Sequence, residues 1–93
     1  MDNADVIEIL EEIAVLLELK GENPFKTRAY VNGARTLETG QTSVAVLVNE
    51  GRLGELKGFG EALQKQVTEL VLTGKLKYYE DLKASIPAGL IEM

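Results

Sequence analysis

Residues 56–60, Leu56-Lys57-Gly58-Phe59-Gly60, stand directly before an apolar-periodic stretch carrying Leu63, Val67, Leu70 and Val71 and closed by Thr73-Gly74. Two glycines one residue apart let the chain reverse sharply. The helix that follows then begins with backbone N–H groups that no preceding turn can use. The pattern reads helix, hairpin, helix, and it leaves bare donors where an anion such as a phosphate can approach. An ordinary helix–helix connection also favours glycine, so the pair alone does not separate a phosphate site from a packing turn.

The chain has 93 residues, 45% of them hydrophobic and 27% charged, which suits one small helical unit with a single core. It has no Cys and no His. That removes disulfides, thiolate or imidazole zinc sites, and triads that need a His base. No apolar run nears the ~20 residues of a membrane span, and no basic start precedes an apolar core. A soluble cytoplasmic chain is expected, acting as a monomer and without a membrane partner. The formal net charge is −5, which argues at first against a polyanionic ligand. The acidity is local, however: residues 1–24 hold seven acids and one base, residues 25–93 eight acids and nine bases. A phosphate site built on backbone amides needs only a few nearby cations, so the second segment remains compatible with one.

Helical spacing of Val6, Ile9, Leu10, Ile13, Leu16 and Leu17 predicts a first helix over Asp5 to Leu19, capped by Asp2, Asn3 or Asp5 and stopped by Gly21. Its acids, Glu8, Glu11, Glu12 and Glu18, fit a solvated face better than a metal cluster. Asn23-Pro24 opens a second helix running to about Glu38, with Phe25, Ala29, Gly33, Ala34 and Leu37 as its expected apolar side. Thr42 or Ser43 is expected to cap a short third helix through Val44 to Val48. Its β-branched content is ambiguous with a strand, but no second strand is available to pair with it. The fourth helix ends at Gly74. A last one is expected from about Leu76 to Ala84, with Leu76, Tyr79, Leu82 and Ile86 toward the core and Pro87 as its stop. The fold class is therefore all-α: four to five short helices with one helix-hairpin-helix at about residues 43–73, a single unit over 1–86, and a tail at 87–93.

The runs Gly21-Glu22-Asn23-Pro24-Phe25-Lys26-Thr27-Arg28-Ala29-Tyr30, Ala34-Arg35-Thr36-Leu37, Leu56 to Gly60, Thr73-Gly74-Lys75 and Ile86-Pro87-Ala88-Gly89-Leu90 resemble, in order and spacing, the N-terminal domain of bacterial family X DNA polymerases, which is polymerase beta N-terminal-like. The resemblance covers nearly the whole chain. It implies DNA as partner, gapped or nicked and engaged at a 5′-phosphate end during gap-filling repair. A second helix-hairpin-helix would begin soon after residue 93, with the polymerase palm further on.

Position by position, the resemblance puts the main-chain carbonyls of Gly54, Leu56 and Phe59 around a monovalent cation, K⁺ or Na⁺, that bridges to a DNA phosphate. It turns the amides of Gly58 and Gly60 toward the same backbone. It gives Lys26 and Tyr30 the 5′-phosphate and Phe25 a stacking role at the terminal base. Gln66 falls where better-known members carry a Schiff-base lysine for deoxyribose-phosphate removal, and Ala62 where they carry a further phosphate-contacting lysine. An amide nitrogen has no usable lone pair, so that lyase chemistry is expected to be absent. Lys65 is one residue away, a rotation of about 100° around a helix, and so faces elsewhere.

Each candidate also has a plainer reading. Lys26 suits a surface lysine, Phe25 the start of an apolar face, and Tyr30 a buried ring with its hydroxyl at the edge. Lys57 and Lys65 suit DNA contacts or simple solubility. Arg28 and Arg35 could pair with the acidic first helix or hold phosphate through the guanidinium fork. Lys75, Lys77 and Lys83 read as ordinary surface. Two other functional classes remain open on sequence: a residual lyase using Lys65, and a protein-interaction module working through the acidic helix.

Overall fold

The computed structural model describes residues 2–40 and 42–85. Five α-helices occur among them: α1 Asn3–Leu19, α2 Pro24–Thr39, α3 Val44–Glu50, α4 Glu61–Thr73 and α5 Lys77–Ala84. One 3₁₀ turn, Leu53–Glu55, leads from α3 into the hairpin. Ile86, Pro87 and the tail at 87–93 lie outside the described residues.

Local chemistry sets most of the boundaries. Asp2 caps α1 by accepting from the Asp5 N–H at 3.0 Å, and Asn23 caps α2 by accepting from the Phe25 N–H at 2.8 Å, with Pro24 in the first helical position. α1 closes on Gly21 and α4 on Gly74, both in the left-handed region that favours glycine, at φ 72° and 78°.

α1 and α2 form the most extensive contact and make an αα-hairpin across the short turn at residues 20–23. α4 and α5 pack against this pair, and α3 reaches the core through α4. The core takes Val6, Leu10, Ile13 and Leu17 from α1, Ala34 and Leu37 from α2, Leu63, Val67 and Leu70 from α4, and Leu76 and Leu82 from the last segment. Gly33 leaves room for Leu63 of α4 against α2: a Cβ placed there would stand 2.5 Å from Leu63 Cδ2.

Two expectations need correction. The buried side of α2 is Tyr30, Gly33, Ala34 and Leu37, whereas Phe25 is 76% exposed and Ala29 is exposed. Helical spacing alone therefore overstates the burial of Phe25, whose ring is not covered by any neighbouring element. Ser43 stands at the cap position of α3, but neither its side chain nor that of Thr42 makes the capping bond. That task falls to Asn3 of α1, whose Oδ1 accepts from the Val44 N–H at 2.7 Å while its Nδ2 donates to the Thr42 carbonyl at 3.1 Å. Leu76 and Leu82 are buried and Tyr79 packs against the core as their spacing predicts, with Leu76 as the cap residue of α5 and Tyr78 also half-buried against the core.

Candidate nucleic-acid interface

The hairpin is held by side chains on both sides of it. The Phe59 ring is buried near Gly33, which fixes the loop to α2 from inside. Thr36 of α2 donates its hydroxyl to the Lys57 carbonyl at 2.8 Å, and Gln64 of α4 donates its amide to the Phe59 carbonyl at 2.9 Å. The Phe59 N–H closes a turn on the Leu56 carbonyl at 3.2 Å, with Gly58 at φ 86° between them. Only glycine holds that angle without strain. Among the described residues, no hydrogen bond is made by the N–H of Gly58 or of Gly60. Gly60 precedes α4 without a side-chain cap, so these donors join the free amides of the first helical turn. Lys57 is exposed beside them.

The three carbonyls at Gly54, Leu56 and Phe59 belong to this same loop. Each carbonyl oxygen has two lone pairs, so those of Leu56 and Phe59 keep one each beyond the bonds just described. Gln64 lies against both ends of the set: it donates to Phe59, and its Oε1 would stand 3.3 Å from a Cβ at Gly54. Turned over, the same amide would add a fourth neutral oxygen. Neutral oxygens grouped in this way fit a monovalent cation. The carboxylate of this loop, Glu55, is engaged by Arg52 at 3.1 Å.

A second region lies one helix face away. A cleft of about 260 Å³ is lined by Lys26, Ala29, Tyr30, Ala62, Leu63, Gln66 and Tyr78. Tyr30 donates its hydroxyl to Gln66 Oε1 at 2.6 Å, and its ring lies parallel to that of Tyr78, with centroids 6.2 Å apart and planes within 9°. Burial, reinforced by Tyr78, pushes the Tyr30 hydroxyl up to about 12, so it is a neutral donor at any physiological pH. Lys26 stands at the rim, 3.5 Å from Glu22 in an exposed pair. Such a contact is worth little and leaves the ammonium accessible to a stronger acceptor. Lys65 is exposed and does not line this cleft. Gln66 therefore occupies its floor as a hydrogen-bond acceptor, which cannot perform amine chemistry.

The structure thus groups Lys26 and Tyr30 at one cleft, Lys57, Gly58, Phe59 and Gly60 at the hairpin, and leaves Phe25 and Lys65 exposed outside both. Tyr78 is the residue that sequence reasoning missed. Its partner Tyr30 is far away along the chain, and the adjacent Tyr78-Tyr79 pair offered no signal for which ring faces which element. Arg28 and Arg35 form no ion pair among the described residues, with α1 or otherwise. Arg52, by contrast, is engaged by Glu50 and Glu55 at 2.8 and 3.1 Å.

A glycine hairpin between α3 and α4, pinned from behind with its amides outward, defines the helix-hairpin-helix class. The family model for the helix-hairpin-helix domain matches residues 1–76, and the chain belongs to that family. It is also 34% identical over all 93 residues to the N-terminal region of the DNA polymerase/3′-5′ exonuclease PolX of Bacillus subtilis, a family X polymerase. The chain spans 16% of that relative's length.

Proposed function

We propose that this domain anchors gapped or nicked DNA for a family X polymerase, gripping the sugar-phosphate backbone at the hairpin and the 5′-phosphate end at the Lys26–Tyr30 cleft, without cutting or joining anything itself. DNA binding as such follows from membership of the helix-hairpin-helix family. The observation that carries the finer reading is the pair of exposed glycines, Gly58 and Gly60, whose amides are unpartnered inside the described structure while the carbonyls of Leu56, Lys57 and Phe59 are each held by a hydrogen bond. Backbone donors aimed at phosphate carry no base information, so binding should be independent of sequence.

Lys26 supplies a cation at the cleft rim and Tyr30 and Tyr78 supply its walls. A 5′-terminal phosphate has both the charge and the acceptors for that rim, and the exposed Phe25 ring stands on the same first turn of α2 for stacking on the terminal base. Gln66 accepts from Tyr30 where a lyase would need an amine, which favours positioning over deoxyribose-phosphate removal. K⁺ or Na⁺ at the Gly54, Leu56 and Phe59 carbonyls would neutralise the bound phosphate locally. The role belongs to gap-filling repair in the cytoplasm, with the domain acting as a monomer; no helix among the described residues is long and apolar enough to cross a membrane.

The test is an NMR titration with short gapped DNA, with and without a downstream 5′-phosphate, in low-salt buffer containing potassium or a bulky organic cation. Shifts should concentrate at Gly58, Phe59 and Gly60 and weaken when potassium is replaced. Removing the 5′-phosphate should quiet Lys26 and Tyr30. In the Lys26→Ala variant, affinity should no longer depend on the 5′-phosphate. A silent hairpin, with responses confined to α1, would sink the DNA-anchoring role in favour of a protein partner.

A further inference from the structure

A third cleft, of about 530 Å³, runs between α2 and the hairpin and is lined by Asn32, Arg35, Thr36, Thr39, Lys57 and Gly58. It carries two cations and no carboxylate, against one cation and no carboxylate at the Lys26–Tyr30 cleft. Glu22 and Asp81 line the cleft beside α5, and Glu18 and Glu22 line the one beside Arg28, whereas no carboxylate lines this one. In a chain of net charge −5, a cleft with two cations and no acid is a local exception.

Its hydrogen-bond inventory points the same way. Thr36 donates inward to the Lys57 carbonyl, and Thr39 donates back to the carbonyls of Arg35 and Thr36. Both hydroxyl protons are thus engaged. What remains among the described residues is a surplus of donors: the Arg35 guanidinium, the Lys57 ammonium, the Gly58 N–H and the Asn32 amide, none of which has a side-chain or backbone acceptor outside its own helix ladder. Glu38, three residues along α2 from Arg35, makes no ion pair with it. A site rich in donors and positive charge fits a ligand that only accepts and is negatively charged.

We infer that this cleft is a second phosphate site, in which Arg35 of α2 and Lys57 of the hairpin clamp an internal phosphodiester of the bound strand. The inference rests on the DNA-anchoring role and extends the DNA path from the hairpin onto the second helix. It is a separate site from the strand-end cleft. Lys26 and Arg35 are nine residues apart on one helix, about 13 Å along its axis, so one phosphate cannot serve both. The guanidinium fork can meet two non-bridging oxygens of one phosphodiester, which an ammonium cannot.

The experiment uses the intact 93-residue chain and a fluorescent gapped duplex, with anisotropy measured across a range of salt and with or without the 5′-phosphate. Arg35→Ala should bind about five- to tenfold more weakly at low salt, the loss of one charge-assisted contact. Its log–log salt slope should be shallower by about one, and its dependence on the 5′-phosphate should be unchanged. Arg35→Lys should keep the slope while losing part of the affinity. Arg28→Ala, the same charge change beside Glu18 and Glu22, is the control and should stay within about twofold, as surface changes away from a contact do. Arg35 is exposed, so the variant should fold, and its melting curve verifies that. If Arg35→Ala matches Arg28→Ala in affinity and slope while Lys26→Ala still abolishes the 5′-phosphate dependence, DNA anchoring stands and the cleft proposal is overturned. If the unaltered chain shows no salt-dependent binding, both fall together.

Discussion

Tyr30 is buried with its ring along Tyr78 and its hydroxyl on Gln66 at 2.6 Å, so one side chain ties α2 to α4 and α5. Its pKa in the folded chain, about 12, lies above the ordinary value of 10.0 because burial disfavours the phenolate. The folded state therefore holds that proton more tightly than the unfolded one. The associated stability is complete below about pH 10 and is lost as pH rises toward 12. Tyr79 is shifted in the same direction by burial and by Glu12, so it adds to the same alkaline loss. Tyr30→Phe keeps the ring and removes only the hydroxyl, leaving Gln66 Oε1 half-buried without its donor. A loss of about 1 kcal/mol near neutral pH is expected in urea unfolding. The variant should also lose less stability than the parent between pH 10 and 12, and equal losses would show that the Tyr30 proton is not the titrating group. Tyr30 itself was visible in the sequence as a ring with a hydroxyl at an edge. Its partners were not, because a contact between residues 30, 66 and 78 leaves no trace in local spacing. Phe25 is the reverse case: its helical spacing suits a core position, yet its ring is exposed, because spacing within one helix does not say which of its residues a neighbouring element covers.

Helix boundaries were legible wherever the chemistry that makes them lies within a few residues, as at Asp2, Asn23-Pro24, Gly21 and Gly74. The hairpin was legible for the same reason, since Gly58 needs its φ of 86° whatever surrounds it. α3 is the exception among the elements. Its seven residues are rich in β-branched side chains and have no cap from their own neighbours. Such a helix has little intrinsic stability and depends on what packs against it and what satisfies its first N–H groups. Asn3, 41 residues earlier, supplies the missing acceptor to Val44 and also bonds the Thr42 carbonyl. Asn3→Ala should therefore destabilise the chain by about 1–2 kcal/mol, like the loss of a good cap together with one further hydrogen bond. Ser43→Ala, at the position that looks like the cap in sequence, should change stability by no more than about 0.5 kcal/mol. Amide exchange should localise the Asn3→Ala effect to the start of α3. The reverse ranking in thermal melts would mean that the capping bond contributes less than the geometry implies.

A chain of net charge −5 can hold a polyanion only because its charges are unevenly distributed. Seven of the acids precede Phe25, mostly on the solvated side of α1, whereas the cations lining the two clefts sit on α2 and the hairpin loop. These three, Lys26, Arg35 and Lys57, can release counterions from DNA, which puts the log–log salt slope near −3 at about −0.9 per phosphate neutralised. The acidic helix acts at longer range. With a Debye length of about 10 Å at 0.1 M salt, its repulsion is largely screened from a ligand on the far side of α2 but is felt in dilute buffer. Two consequences can be measured on the same plot. The slope should flatten below about 0.03 M salt, where α1 begins to oppose binding, and neutralising Glu11 and Glu18 to Gln should remove that flattening without altering the slope at higher salt. Duplexes of unrelated sequence should give superimposable lines, because amides, ammonium groups and a guanidinium on phosphate distinguish no bases. A slope steeper than −6 would require cations beyond this surface, and a sequence preference above about tenfold would require a side chain at a base edge, so either result would redraw the interface rather than adjust it.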